Sequence, residues 1–342
     1  MSLGTTIAAA LTGEIPTREP FAWANDSFKA YDQQTFVPFT LSVEQSEFST
    51  SEVAMYIFVV PQGVPAAAPA TGTSEASPLP KAAFEDAYHV GLGFPTPEGV
   101  YEIRRGFSAP GGEYDVYVAL RESGVSDGTE PKTILLKQAV SVPDLWSDAL
   151  ATSSVILVDR IQSLSAPLPP DQHLADPYVL GATRLVPRSD RTYRTNESLS
   201  TFFLIYNVGL TSDGLPDVTV EFYFYTPAPG WATFWGATAV LMGYAGLSTI
   251  PPLAAAPLAL VVSLGSGLLD EDVLFNTSAT QTFNTHTLPH GFDYAGGHQL
   301  QAGQVVPLSS FPEATYRLEI KITDRTNNAT LTRNVDFSVS AS

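Results

Sequence analysis

"PGGEYDVYVAL", Pro110 to Leu120, and "PEATYRLEIKI", Pro312 to Ile322, decide the fold. In both, a proline stands four residues before a tyrosine that opens a strand of alternating apolar and polar residues. Alternation of period two turns one face toward a core and the other toward water. A second strand follows each: "TILLKQAVSV" ending at Val142 and "TLTRNVDFSV" ending at Val339. Each half of the chain therefore closes with the same hairpin. A tyrosine at the corner leading into a late strand marks immunoglobulin-like sandwiches, where its hydroxyl satisfies nearby backbone. An ordinary tyrosine at the edge of a core fits the spacing equally well.

The same alternation recurs outward from these hairpins. Phe36 to Val43, Val53 to Val60, "SSVILVDRI" from Ser153, "STFFLIYNV" from Ser200 and "VTVEFYFY" from Val218 all read as strands. Pro-Gly-Gly at 110–112, Ser-Asp-Gly at 126–128 and 212–214 and Thr-Asn-Asn at 326–328 punctuate them as turns. At 342 residues the chain exceeds the usual size of one core. The expected fold class is all-β: two tandem immunoglobulin-like β-sandwiches, domain 1 over 15–145 and domain 2 over 146–342, after an N-terminal segment 1–14. The boundary falls where "PDLWSDALATSS" breaks the alternation after Val142. "PQGVPAAAPATGTSEASPLPKAA", residues 61–83, is too polar and proline-rich to pack and reads as a loop inserted in domain 1. "SAPLPPDQHLADP", Ser165 to Pro177, reads as another loop.

Composition excludes several functions. The formal net charge of -18, with seventeen scattered Lys and Arg, repels phosphate backbones, so nucleic acid is not a partner. The absence of cysteine removes disulfides, thiolate metal sites and a cysteine nucleophile together. The opening Met-Ser-Leu-Gly-Thr-Thr-Ile lacks the basic start and long apolar core of a secretory signal. It reads as the interior of a longer protein in excised, mature form, in preference to a cytoplasmic chain.

"SSVILVDRI", "DPYVLGATRLVPRSDRTYRTNESLSTFFLIYNV" and the stretch from "TFNTHTLPHGFDYAGGHQL" to "NVDFSVS" resemble the C-terminal β-rich region of acidobacterial proteins described as von Willebrand factor A-related or as GWxTD-motif proteins. "FEDAYHVGLGFPTPEGVYEIRRGFSAPGGEYDVYVALRE" resembles the domain that precedes it. The resemblance implies β-sandwich domains and an exported location, in the periplasm or at the cell surface, with no established activity. This chain lacks the adhesive A domain with its metal site. Its "GWATF", Gly230 to Phe234, has Phe234 where the motif carries an acid. The resemblance therefore assigns no functional residues.

One block departs from both the pattern and the resemblance. "GWATFWGATAVLMGYAGLSTIPPLAAAPLALVVSLGSGLL", Gly230 to Leu269, is uncharged and sits between alternating strands. As helix, Trp231 to Ile250 has about the length that crosses a hydrocarbon core, and Leu253 to Leu269 is slightly short, with Pro251-Pro252 as a turn. The expectation is a helical hairpin inserted in domain 2. Ala232, Gly236, Ala239, Gly243 and Gly246 fall on one helical face, and Ala255, Ala259, Ser263 and Gly267 recur every four residues. Such stripes let helices approach closely. Trp231, Trp235 and Tyr244 are amphipathic rings suited to an interface, of membrane or partner. Against insertion stand the acidic Asp270, Glu271 and Asp272, the lack of flanking Lys or Arg, and Pro257. Three readings stay open: a membrane-inserted or membrane-docked hairpin, an arm buried in a partner or homo-oligomer, and helices folded onto their own sandwich.

The chain carries no nucleophile elbow, phosphate-cradling glycine loop or His-Glu-x-x-His helix. The best metal candidates are His286, His290 and His298, with Asp293 nearby, although Pro289 and the glycines exclude a helical two-histidine face. Hydrogen-bonded loop histidines are the commoner outcome. Asp270, Glu271 and Asp272 offer oxygen to calcium but lack the spacing of a dedicated loop. Phe222 to Tyr225 and Phe202-Phe203 suit either a sugar platform or, at strand spacing, a core. No cofactor and no metal is assigned. The functional expectation is a non-enzymatic, extracytoplasmic scaffold or accessory subunit, attached to a membrane or to other proteins through 230–269. The alternative is a binding module for carbohydrate or another exported ligand.

Overall fold

The computed structural model describes residues 2–63, 80–126, 128–188, 190–226 and 272–341. Among them the fold is all-β, apart from helices α1 (Leu3–Leu11) and α2 (Pro170–His173) and a 3-10 turn at Gln45–Glu47. The chain forms two compact units, Met1–Ser154 with Arg160–Pro187, and Val155–Asp159 with Arg188–Ser342.

In the first unit the strands are β1 (Ala22–Asn25), β2 (Phe28–Lys29), β3 (Thr35–Glu44), β4 (Glu52–Pro61), β5 (Phe84–Gly91), β6 (Val100–Ala109), β7 (Gly112–Glu122) and β8 (Thr133–Val142). One four-stranded sheet has β3 between β6 and the pair β1 and β2; the other runs β5-β4-β7-β8. Alternation packs them face to face. Val37, Phe39, Leu41 and Val43 of β3 share a buried cluster with Val53, Met55, Ile57 and Val59 of β4 and Val116, Val118 and Leu120 of β7. Trp23 stacks on Phe39 at 4.3 Å between ring centroids.

The second sheet is buried on its outer face as well. Phe58, Val60, Tyr117, Ala119 and Leu135 pack against Ile7 of α1. The sequence reading assigns no element to 1–14, because nine residues are too few for a helix to announce itself by periodicity. Ser2 caps it by accepting from the Thr5 N–H at 3.2 Å, and the buried Ile7 holds it to the sheet.

Residues 146–154 and 160–187, placed in domain 2 by the sequence reading, cluster with this first unit. Trp146 donates its indole N–H to Gln34 O at 2.8 Å, and the Ser27 N–H donates to Ser154 Oγ at 3.0 Å. Two further short strands, β9 (Ala151–Thr152) and β10 (Ile156–Ser163), precede the "SAPLPP" segment, and β11 (Val179–Leu180) pairs with β12 (Thr183–Pro187) beyond it. Tyr178, 3% exposed, fixes that hairpin by donating to Asp26 Oδ2 at 2.7 Å. Burial and the Asp26 charge push its phenol far up.

The second unit repeats the plan with β13 (Thr192–Arg194), β14 (Ser198–Tyr206), β15 (Val218–Thr226), β16 (Val273–Thr277), β17 (Gln281–Phe283), β18 (Leu300–Ala302), β19 (Val305–Pro307), β20 (Ala314–Asp324) and β21 (Ala329–Ser340). A six-stranded sheet runs β13-β21-β20-β15, with β16 and β17 successively on the outer edge of β15. The start of β10 and strands β18 and β19 flank β14 in the other sheet. The order β16-β15-β20-β21 reproduces β5-β4-β7-β8. This is the strand arrangement of an immunoglobulin-like sandwich, used twice.

Both tyrosines form the corner. Tyr114 donates to Pro110 O at 3.0 Å and Tyr316 to Pro312 O at 2.8 Å. Gly111 inside the first corner tolerates no side chain, since a Cβ there would lie 2.8 Å from Asp144 Cα.

Candidate attachment site

The uncharged block 230–269 lies outside the described residues, and with it Trp231, Trp235, Gly236, Ala239, Gly243, Tyr244, Gly246, Ala255, Ala259, Ser263 and Gly267. The strands that release and receive it are described. β15 ends and β16 begins as antiparallel partners, with Thr226 opposite Val273 and Tyr225 opposite Leu274. A register shift between Phe224 and Tyr225 leaves Phe275 without a partner across the ladder. The bulge sends the Phe275 ring onto the core, 5.0 Å from Phe311 and 5.4 Å from Tyr316. Phe224 meets Phe311 edge-on at 5.3 Å, and Phe337 stacks on Tyr316 at 5.4 Å. The base of the connection thus rests on an aromatic cluster that includes the corner tyrosine. Burial raises the Tyr316 phenol to about 12.

On the outer face, Arg317 Nη1 pairs with Asp272 Oδ2 at 2.6 Å, and its guanidinium lies 5.2 Å from the Tyr225 ring centroid. Asp272, one of three acids considered for calcium, is thereby engaged by an arginine; Asp270 and Glu271 lie outside the described residues. Burial, followed by the nearby Glu319, raises the Tyr225 phenol, and Arg317 opposes them.

The first unit has its own insertion at the equivalent place. β4 ends at Pro61 and β5 starts at Phe84, and these strands correspond to β15 and β16. Gln62 N–H donates to Glu113 O at 2.9 Å and Ala83 N–H to Val59 O at 2.8 Å, holding both ends of 62–83 beside the Tyr114 corner. The sequence reading describes 61–83 as a polar inserted loop and 230–269 as an apolar insertion, without relating the two. Topology puts both in one connection of a repeated domain.

At the opposite end of each sandwich stands a buried carboxylate missed in the sequence. Glu122 closes β7 and Asp324 closes β20, 7% and 0% exposed. Glu122 Oε1 accepts from Ser49 N–H at 2.5 Å and Ser49 Oγ at 2.7 Å, and Oε2 accepts from Lys132 N–H at 2.8 Å. The backbone and hydroxyl of Ser49, then the Lys132 N–H, hold this carboxyl below its ordinary range. Asp324 accepts from Gly209 N–H at 2.7 Å, Thr326 N–H at 3.0 Å and Asn327 N–H at 3.3 Å. Each carboxylate ties the loop before β4 or β15 to the turn after β7 or β20. The sequence carries a signal for it: each acid stands eight residues after its corner tyrosine.

His286, His290 and His298 lie exposed along the 284–299 loop. His298 Nδ1 accepts from Asp293 N–H at 3.1 Å, and its ring packs against Phe292 at 5.4 Å. Among the described residues no three His, Asp or Glu side chains gather as a metal-ligand set. Nor is any helix among them long and apolar enough to cross a membrane. Phe203, Phe222 and Phe224 are core residues, at most 1% exposed.

No family model matches the chain, and no curated protein matches it. Among solved structures it is similar to Salmonella alpha-2-macroglobulin reacted with methylamine, at 13% identity and a TM-score of 0.23, over 96% of this chain and 17% of that one. It is similar also to the native conformation of E. coli alpha-2-macroglobulin, at 11% identity and a TM-score of 0.22, over 94% of this chain and 16% of that one. The Yersinia pseudotuberculosis adhesin InvE is 12% identical with a TM-score of 0.19, over 89% of this chain and 54% of the adhesin. The chain thus spans well under two thirds of each of these proteins. Likeness at this level assigns no activity, partner or residue role.

Proposed function

We propose that this chain is a non-enzymatic, exported scaffold or accessory subunit, in which two sandwiches are held to a membrane or a larger protein assembly through 230–269. The observation that carries the reading is the pairing of Thr226 with Val273. An uncharged stretch is interpolated between two residues that already face one another, so the sheet closes beneath it whether or not the block is engaged elsewhere. The Asp272–Arg317 pair and the Phe275 bulge brace that edge. Uncharged apolar sequence of this length is suited to lipid or to a protein interface. The strongly acidic remainder disfavours anionic surfaces, which leaves attachment to this block.

Liposome flotation tests the reading, with the intact chain beside a variant in which Gly230 to Leu269 is replaced by a short Gly-Ser turn. Both are also scored for monomer by light scattering. Flotation of the intact chain alone assigns a membrane anchor; assembly of the intact chain alone, without flotation, assigns a protein arm. An intact chain that is monomeric without detergent, does not float, and protects the block from protease as part of a compact domain refutes attachment.

A further inference from the structure

A groove of about 600 Å³ lies in the first unit between the 3-10 turn after β3 and the loop before β6. Phe21, Phe48 and Val100 supply its apolar surface, and Glu44, Gln45 and Glu98 its polar rim. The walls are fixed. Gln45 N–H donates to Gly99 O at 2.9 Å, joining the two loops, and Phe48 packs against the sandwich core. Phe21 is 61% exposed, and Phe94 in the same loop as Glu98 is 98% exposed.

The charges around the groove are unbalanced. Neighbouring Glu47 already holds Arg18 at 3.0 Å and Lys132 at 2.5 Å. Glu44 meets a hydroxyl, Ser46 Oγ at 3.4 Å. Hydrogen bonding from Thr96, then from its own backbone, holds the Glu98 carboxyl below its ordinary range and keeps it ionised. Among the described residues the groove lining includes no Lys or Arg.

We propose that this groove is a docking site for a basic segment of a partner protein. An arginine or lysine side chain lays its aliphatic stem on Phe21 and Phe48 and directs its charged head to Glu44 and Glu98. Charge complementarity selects this occupant: an acidic segment would meet two unpaired carboxylates, and a purely apolar one would bury them without a counter-charge. The stem-and-head shape of a long basic side chain matches an apolar surface with a charged rim. The inference concerns a contact surface and stands apart from the mode of attachment through 230–269.

The test titrates the full chain with acetyl-Gly-Arg-Arg-Gly-amide by calorimetry at low salt, with the Glu-Glu peptide as counterpart. Because the whole protein is acidic, the variants must separate local from diffuse attraction. E44Q/E98Q removes the groove charges, D213N/E313Q removes two exposed charges in the other unit, and F21S removes an exposed ring. The proposal expects the Arg-Arg peptide alone to bind, E44Q/E98Q to weaken it about tenfold, F21S to weaken it several-fold, and D213N/E313Q to leave it unchanged. Equal weakening by the two double variants, or no binding up to about 1 mM peptide, overturns it. Glu44, Glu98 and Phe21 are exposed, and unchanged thermal unfolding of each variant verifies that folding is intact.

Discussion

Glu122→Gln is the most informative single change, because it alters one buried charge with little change of shape. The carboxylate is 7% exposed and accepts three hydrogen bonds, two on Oε1 from Ser49 and one on Oε2 from Lys132. A glutamine keeps the Oε1 acceptor, so both Ser49 bonds persist as neutral interactions of about half the strength. Its amide then points a donor at the Lys132 N–H, leaving two donors face to face. Together the weakened pair and the unmet donors cost about 3 kcal/mol. With a urea slope of about 2 kcal/mol per molar, the midpoint of the first unit should fall by about 1.5 M. Hydrogen exchange should localise the loss to 45–51 and 123–132. Acid supplies an internal check. The folded carboxyl is held below its ordinary value, so its contribution is complete above about pH 4.3 and is lost as pH falls through the folded value. The deficit of E122Q relative to the native chain should therefore shrink on acidification. A midpoint within about 0.3 M of native at neutral pH would refute the clasp as a source of stability.

Two further outcomes follow from the geometry. Tyr114→Phe and Tyr316→Phe each remove one hydroxyl-to-proline bond and should cost about 1 kcal/mol in urea unfolding. The two losses should add, since the corners belong to separate units; a double variant that departs strongly from the sum would contradict this. Arg317→Met removes a pair that is partly exposed on both sides, so global stability should change by less than about 1 kcal/mol. Amide exchange over 273–275 should nevertheless quicken, and unchanged exchange there would mean that Asp272 does not brace the edge.

The long core strands were legible from their runs of apolar and β-branched residues between turn signals: "TILLKQAVSV" is β8 to the residue, and the repeated Pro-x-x-x-Tyr located both corners. Helix α1 was not legible, since its burial depends on the outer face of β4 and β7, a surface that exists only once the sheet has formed. The clustering of residues 160–187 with the first unit was not legible for a related reason. Their attachment to the first unit runs through Tyr178 and Asp26, a contact 152 positions apart that no local pattern encodes. Glu122 and Asp324 read as ordinary strand-end acids because burial of a charge is decided by the loops that fold over it. The groove was unreadable for the same cause: Phe21, Glu44 and Glu98 come from three separate segments, the stretch before β1, the end of β3 and the loop before β6. The histidines illustrate the converse, three potential ligands near in sequence that do not gather in a ligand set among the described residues.

That both units are interrupted at one equivalent connection makes this junction a tolerant cassette position. The connection from Thr226 to Val273 is about twice as long as that from Pro61 to Phe84, yet the strands on either side of both occupy the same places in their sheets. Sequence can thus be lengthened, exchanged or recoded at this junction while the aromatic corner beneath continues to specify the domain. Grafting foreign segments there should be possible without redesigning either sandwich, and divergence of the two cassettes can proceed nearly independently of the fold that displays them.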